Sequence, residues 1–242
     1  MHSKQATEKM TFDCDIIDLG KISYKKAYHL QKRSLEELKL GLSNEALIIC
    51  EHFPVITLGR SGNINNLLCD PNSLNAKGVD FFKIDRGGDI TAHELGQLTI
   101  YPVFDLKMRK HQDIHVFLNN LQHVILNTLR EFSLRAHVVQ DKRGVWAGSK
   151  KIASIGIGIS HWITYHGLTI NVNNNLKIFS YIRPCGMDVE MTSVAKELGY
   201  SVDFNVFKHK LMDNFCKVFN LNIKTERNKG VKNETSNLTR TG

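Results

Sequence analysis

Four short stretches hold the residue types that could do chemistry. Arg86-Gly87-Gly88-Asp89-Ile90-Thr91-Ala92-His93 follows an expected strand, and its paired glycines let backbone approach a ligand or take positive φ. Taken alone it also reads as a tight turn with a surface arginine. Gly144-Val145-Trp146-Ala147-Gly148-Ser149-Lys150-Lys151, continuing to Ile155-Gly156, has too few residues between glycines for a phosphate loop, and alone reads as a hairpin with solvated lysines. His166-Gly167-Leu168-Thr169-Ile170-Asn171-Val172 is a strand with a glycine near its start, where a ligand or another backbone comes close. In Arg183-Pro184-Cys185-Gly186-Met187, a cysteine sits in a turn between proline and glycine. A lone intracellular cysteine is usually structural, but this one is better placed for access than Cys14, Cys50, Cys69 and Cys216, which read as small buried residues.

Other chemistries fail on spacing. His93-Glu94 opens like a zincin helix, yet Gln97 stands where the second histidine belongs and Gly96 would break the helix. Gly156-Ile157-Gly158 lacks the third glycine of a dinucleotide fingerprint, and no nucleophile elbow occurs. No spacing supports a metal site.

The elements that must position these stretches alternate between helix and strand, which predicts an α/β or α+β layered fold. A helix is expected over 23–40, with Ser23 as N-cap, Ala27, Leu30, Leu35 and Leu38 on its inner face and Gly41 as its stop. Longer amphipathic helices are expected over 113–132 and 203–219, with a short one over 192–198. Strands are expected at 46–50, 55–58, 79–84, 98–104, 136–139, 144–146, 151–159 and 162–172. No linker divides the chain, so residues 1–220 are expected to form a single catalytic domain, and polar residues 221–242 to fray.

The chain has 242 residues and a formal charge of +8. Five cysteines without a C-x-x-C pair support neither a disulfide framework nor a zinc site, and the absence of a membrane-length apolar run or leader pattern points to a reduced, cytoplasmic protein. The basic residues are dispersed and not interleaved with aromatics, which disfavours nucleic acid as partner and keeps a basic nucleic-acid-binding module as a minority alternative.

In this order and spacing, Arg-Gly-Gly…His, Lys-Ile-Ala-Ser-Ile-Gly, His-Gly-Leu…Asn-Val and Pro-Cys-Gly resemble the octanoyltransferase, or lipoyl(octanoyl) transferase, family. The resemblance runs from about Ile22 to Phe219 and includes Leu58-Gly59-Arg60 and Met191-Thr192-Ser193. It implies a biotin/lipoyl ligase-like fold, a mixed β-sheet with outer helices. It also implies transfer of an octanoyl group from octanoyl-acyl carrier protein to a lysine of lipoyl domains, those of 2-oxoacid dehydrogenases and the glycine cleavage H protein, with no cofactor, metal or membrane. Cys185 would be the acyl-thioester nucleophile, and Lys151 the group that lowers the thiol pKa and acts as general acid and base. Arg86, Gly87, Gly88, Asp89, Ile90, Thr91, Ala92, His93, Ser154, Ile155, Gly156, Gly167, Leu168 and Thr169 would line the acyl site. Where the family usually reads Tyr-His-Gly-Pro-Gly-Gln this chain has Ala92-His93-Glu94-Leu95-Gly96-Gln97, and Thr169 stands where alanine is common, so pocket shape and chain-length preference are expected to differ. An ATP-dependent lipoate ligase and a lipoyl amidotransferase of the same fold are the alternatives.

The chemistry is self-consistent. Thioester-to-amine transfer runs downhill, and an ordinary cysteine is only about 3% thiolate at pH 7. Bringing its pKa to ~7 takes roughly 2 kcal/mol, and an ammonium ~4 Å away supplies up to about 4 kcal/mol at an effective dielectric of 20. One lysine suffices. Six or so buried methylenes add about 5 kcal/mol of binding.

Overall fold

Runs of β-branched and aliphatic residues assemble a seven-stranded sheet through the middle of the chain. The computed structural model describes residues 10–109, 112–186 and 189–228, apart from the side chains of Cys185 and Asn228. In chain order its elements are β1 (Phe12–Ile22), α1 (Tyr24–Lys39), β2 (Glu45–His52), β3 (Val55–Leu58), α2 (Pro71–Ala76), β4 (Asp80–Lys83), β5 (Ile90–His93), β6 (Gln97–Val103), α3 (Ile114–Glu131), β7 (Gly144–Ala147), β8 (Lys150–Ser160), β9 (Ile163–Asn171), α4 (Val194–Leu198), α5 (Phe204–Phe219) and β10 (Leu221–Asn228). The large sheet has the order β10-β1-β2-β6-β9-β8-β7, and a small one the order β4-β3-β5. β10, β1 and β2 run parallel, and the rest of the large sheet is antiparallel. This is the mixed α/β arrangement expected.

Side-chain alternation divides the large sheet into two faces. Leu47, Ile49, Leu98, Ile100, Leu168 and Ile170 face α3 and α5, where Leu121, Ile125, Phe207, Leu211 and Phe215 complete the main core. Ile48, Cys50, Tyr101 and Tyr165 face the other way, against Ala27, Leu35 and Leu38 of α1. A third cluster joins the small sheet to the turns at 177–182 through Ile56, Ile90, Ala92, Ile178 and Phe179. Asp113 and Asp203 cap α3 and α5 by accepting from backbone N–H groups, as their positions suggest. Ser23 precedes α1 without a side-chain cap bond.

Several expectations need correction. Residues 221–228 do not fray: they form β10, paired in parallel with β1, and Ile223 packs on the main core. Residues 229–242 lie outside the described residues. The segment 136–139 makes only one bridge, His137 to Trp146, and α4 starts at Val194, capped by Ser193. Cys14 and Cys50 are buried, whereas Cys69 and Cys216 are half-buried. Among the described residues no helix is long and apolar enough to cross a membrane.

A buried ion pair joins the sheet to the far end of the chain. Arg109 donates from Nε and Nη2 to Glu45 and from Nη1 to the Phe219 carbonyl, with its guanidinium between the Phe12 and Phe104 rings. Burial pushes the Glu45 carboxyl above the usual range, with Arg109 pulling it back. Arg109→Ala leaves that carboxylate buried and alone, and is expected to cost about 3–5 kcal/mol of unfolding free energy by urea titration. A loss below about 1 kcal/mol would show that the pair is a surface-type contact.

Candidate active site

A β-bulge places the key lysine. β7 and β8 pair Val145 with Ala153 and Trp146 with Lys151, so Ile152 is an extra residue on β8. Without it Lys151 would share the core face of Ala153 and Ile155. With it, Lys151 turns to the face of Ser154. Only 1% of the side chain is exposed. Its Nζ lies 5.2 Å from the Trp146 ring centroid, and its stem passes over Gly144, where a Cβ would stand 2.7 Å from Cε. Its backbone pairs with the segment that follows the cysteine turn: Lys151 N–H donates to Glu190 at 2.8 Å and Thr192 N–H donates to the Lys151 carbonyl at 2.9 Å.

Lys151 lines a cavity of about 370 Å³, a size suited to a small ligand. The floor is β8, β9 and β6, with Ser154, Ile155, Gly156, Gly167, Leu168, Thr169, Thr99 and Tyr101. Arg86, Gly88, Asp89, Ile90, Thr91 and His93 form one wall, and Tyr24 at the start of α1 and His166 stand at one end. Of the residues expected to line an acyl site, Gly87 and Ala92 are not in this wall. Gly87 lines a neighbouring cleft with Arg60 and Arg143, and Ala92 packs into the small core because adjacent strand residues face opposite ways.

The loop before β5 is locked from both sides. Arg86 donates from Nη2 to the carbonyls of Thr57 and Asp89 and from Nη1 to that of Gly87. Gly87 N–H donates to Ile157 of β8 at 2.8 Å, and a Cβ on Gly156 would stand 2.9 Å from the Gly87 carbonyl. Arg86 is therefore a strut for the wall. The Pro184–Gly186 turn, which carries Cys185, closes against this wall. Arg183 N–H donates to Asn66, and the open side of Gly186 faces Asn66 and Asp89 Oδ2. The Cys185 side chain lies outside the described residues.

Three imidazoles, His93 and His166 in the cavity lining and His52 behind it, are held in surroundings that favour their neutral form. His52 Nδ1 donates to the Ile22 carbonyl, so Nε2 accepts from Tyr101 at 2.6 Å, and burial drops its pKa to about 4. His93 Nδ1 donates to Gln97, whose amide donates on to Asn171, which donates to the Thr192 carbonyl. Burial and the nearby His52 hold His93 well below the usual histidine range. His166 donates from Nε2 to Asp85 at 3.0 Å, and burial outweighs that carboxylate to keep the ring neutral. Its φ of +56° kinks β9, and its N–H donates to Gln31 rather than to a neighbouring strand. Tyr28 and Tyr165 also donate to Asp85.

Tyr24, Thr99, Tyr101 and His166 were not foreseen as site residues, nor were Asp141, Lys142 and Arg143 at the cavity edge. Thr99 and Tyr101 could have been found, because they alternate onto one face of an expected strand. Glu94, an unusual residue by the resemblance, does not reach the cavity: its carboxylate accepts from Asn174 and from Leu176 N–H.

Comparison with known proteins bears on this site. Residues 23–216 match the family model for the lipoyl protein ligase A/B catalytic domain. The chain is 36% identical over 211 residues to an octanoyltransferase of Solibacter usitatus, covering 87% of this chain and 95% of that one. It is 40% identical over 205 residues to an octanoyltransferase of Nitratidesulfovibrio vulgaris, covering 84% and 93%. A solved lipoate protein ligase, putative, from T. acidophilum with bound lipoic acid superposes with a TM-score of 0.69 at 16% identity over 89% of each chain. A biotin protein ligase from Aquifex aeolicus in complex with biotin and ATP superposes with a TM-score of 0.54 at 14% identity, covering 85% of this chain and 70% of that one.

The buried imidazoles set an acid limit on stability. A histidine held below its unfolded pKa of 6.5 contributes fully above that value, and the contribution is lost as pH falls through 6.5 toward the folded pKa. For His52, with a folded value of about 4, the loss between pH 7 and pH 5 is about 2 kcal/mol. Denaturant titrations at pH 7, 6 and 5 should show that fall, and His52→Gln should flatten it by about that amount. A variant profile parallel to the wild type would refute the assignment.

Proposed function

Because the chain belongs to the octanoyltransferase family and transfers octanoyl groups in lipoate biosynthesis, we propose that it draws the acyl group from a carrier-protein thioester, holds it on Cys185, and passes it to a lipoyl-domain lysine. The observation that carries this reading is the burial of Lys151 in the cavity wall, its backbone paired with the segment that follows the cysteine turn. A buried ammonium there favours the thiolate of a nearby cysteine. Supporting it, the cavity has room for a small acyl chain between its floor and the aromatic rings of Tyr24 and Tyr101, and Arg86 is already engaged with backbone carbonyls.

The reaction proceeds in two balanced halves. The Cys185 thiolate attacks the donor thioester, an S-acyl bond forms on Cys185 as the donor's breaks, and the Lys151 ammonium protonates the departing thiolate. Lys151 is then neutral. The acceptor lysine attacks as an amine, the amide bond forms, and the Cys185 thiolate leaves. Lys151 takes the amine proton, which restores the starting ammonium and thiolate. Acylation helps this exchange, since neutralising the sulfur removes the charge that favoured the ammonium.

Intact-mass analysis after mixing with octanoyl-loaded carrier protein should show one octanoyl adduct, localised to Cys185 and absent from Cys185→Ser. Lys151→Arg keeps the cation that favours the thiolate but can neither release nor accept a proton. It should acquire the adduct more slowly, since a thiolate can leave unprotonated, and then stall before passing it to a lipoyl domain, where the amine must lose its proton. Equal loss of both halves would remove the proton-shuttle role. Transfer from free octanoate and ATP that survives Cys185→Ser would replace the whole reading with a ligase.

A further inference from the structure

The cavity floor carries a row of hydroxyl groups. Ser154 of β8 pairs with Thr169 of β9, and Thr169 pairs with Thr99 of β6, so the three side chains stand abreast on one face. All three line the cavity. Thr99 and Thr169 are 1% and 6% exposed, and their Oγ1 atoms lie 3.2 Å apart. That contact uses one of the three hydroxyl protons. The other proton of the threonine pair and that of Ser154 have no acceptor among the described residues. These spare donors face the cavity, where a ligand oxygen can accept from them.

The row continues to the lysine. Ser154 pairs on its other side with Gly144, and Lys151 Nζ lies 3.4 Å from the position of a Gly144 Cβ. The ammonium and the spare hydroxyl donors therefore converge on one line across four strands. One step along the strands, about 6.6 Å away, Gly156 faces Gly167, and the Gly87 and Ile100 carbonyls fill the space their side chains would take; Tyr101 and His166 also line the cavity on this side.

We propose that the Ser154–Thr169–Thr99 row holds the carbonyl oxygen of the reacting thioester, resting on the acyl-transfer reading above. A saturated acyl group has a single acceptor, its carbonyl oxygen, and the spare donors lie in line with the group that moves the proton. Negative charge develops on that oxygen as the thiolate or amine adds, and the hydroxyls stabilise it most at that moment. The hydrocarbon tail then runs along the cavity toward His166 and Tyr24. Seated farther in, the carbonyl would leave Lys151, and seated farther out, methylenes would cover the hydroxyls.

The test is the single-turnover rate of Cys185 acylation by octanoyl-carrier protein, read by intact mass. Thr169→Val is nearly isosteric and should slow acylation about 10–100-fold, with the half-saturating donor concentration changed less than about threefold. Thr169→Ser should restore most of the rate. Ser154→Ala, at a half-buried position, gives an independent slowing if Thr169→Val does not fold. Hexanoyl, octanoyl and decanoyl donors should all slow by the same factor. An unchanged rate in both variants, or a loss that depends on chain length, would overturn the assignment and make the row a contact for the tail. Absence of an adduct on the wild-type protein would instead overturn the acyl-enzyme reading itself.

Discussion

The site depends on holding one lysine side chain out of water at a fixed position. Burying so polar a group is costly unless the surroundings accommodate it, and much of the local structure does so. The extra residue in β8 turns Lys151 inward, the missing side chain at Gly144 makes room for its stem, and the Trp146 ring lies along its path. The backbone on either side pairs with Glu190 and Thr192, so the lysine and the segment after the cysteine turn move as one unit. A one-residue deletion in this hairpin would return the lysine to the face of Ala153 and Ile155, against the apolar main core.

The polar network behind the cavity extends the same constraint. His93, Gln97 and Asn171 form a hydrogen-bonded chain that ends on Thr192, the residue whose N–H holds Lys151. Each group in that chain is buried, so losing any one leaves a neighbour unsatisfied. Neutral imidazoles suit this role, because each both accepts and donates.

Much of the scaffold was legible from local pattern. Helices α1, α3 and α5 followed their apolar spacing, with Asp113 and Asp203 marking two starts, and β3 matched its four apolar residues at both ends. β1 was not legible because Asp13, Asp15 and Asp18 interrupt its apolar residues; their compensation comes from Lys224, Arg227 and Lys208, distant in sequence. β10 failed for a related reason, as an edge strand solvated along one side reads as a polar tail. The paired glycines before β5 concealed a strand behind a turn signal. In the site, ordered motifs marked most of the wall. They missed Tyr24, which enters through tertiary packing across the α1–β9 contact, and the motif that opens with His166 did not show that its ring lines the cavity.

The residues that depart from the resemblance separate by what they touch. Ala92 joins the apolar core of the small sheet, and Glu94 is absorbed by Asn174 and the N–H of Leu176, a residue whose φ of +67° needs such support. These changes were expected to reshape the acyl pocket, yet both side chains are used elsewhere. Thr169 differs in kind, for its hydroxyl reaches the cavity and pairs with Thr99 one strand away. A methyl in its place would fill similar volume and bind a hydrocarbon chain at least as well. What the hydroxyl adds is a donor, and a donor on a buried wall acts on whichever part of the ligand accepts. The neighbouring glycines do something else: Gly156 lets the Gly87 carbonyl close onto β8, and Gly167 lets the Ile100 carbonyl close onto β9, so the hydroxyl row is the part of this floor that offers side-chain donors to a ligand.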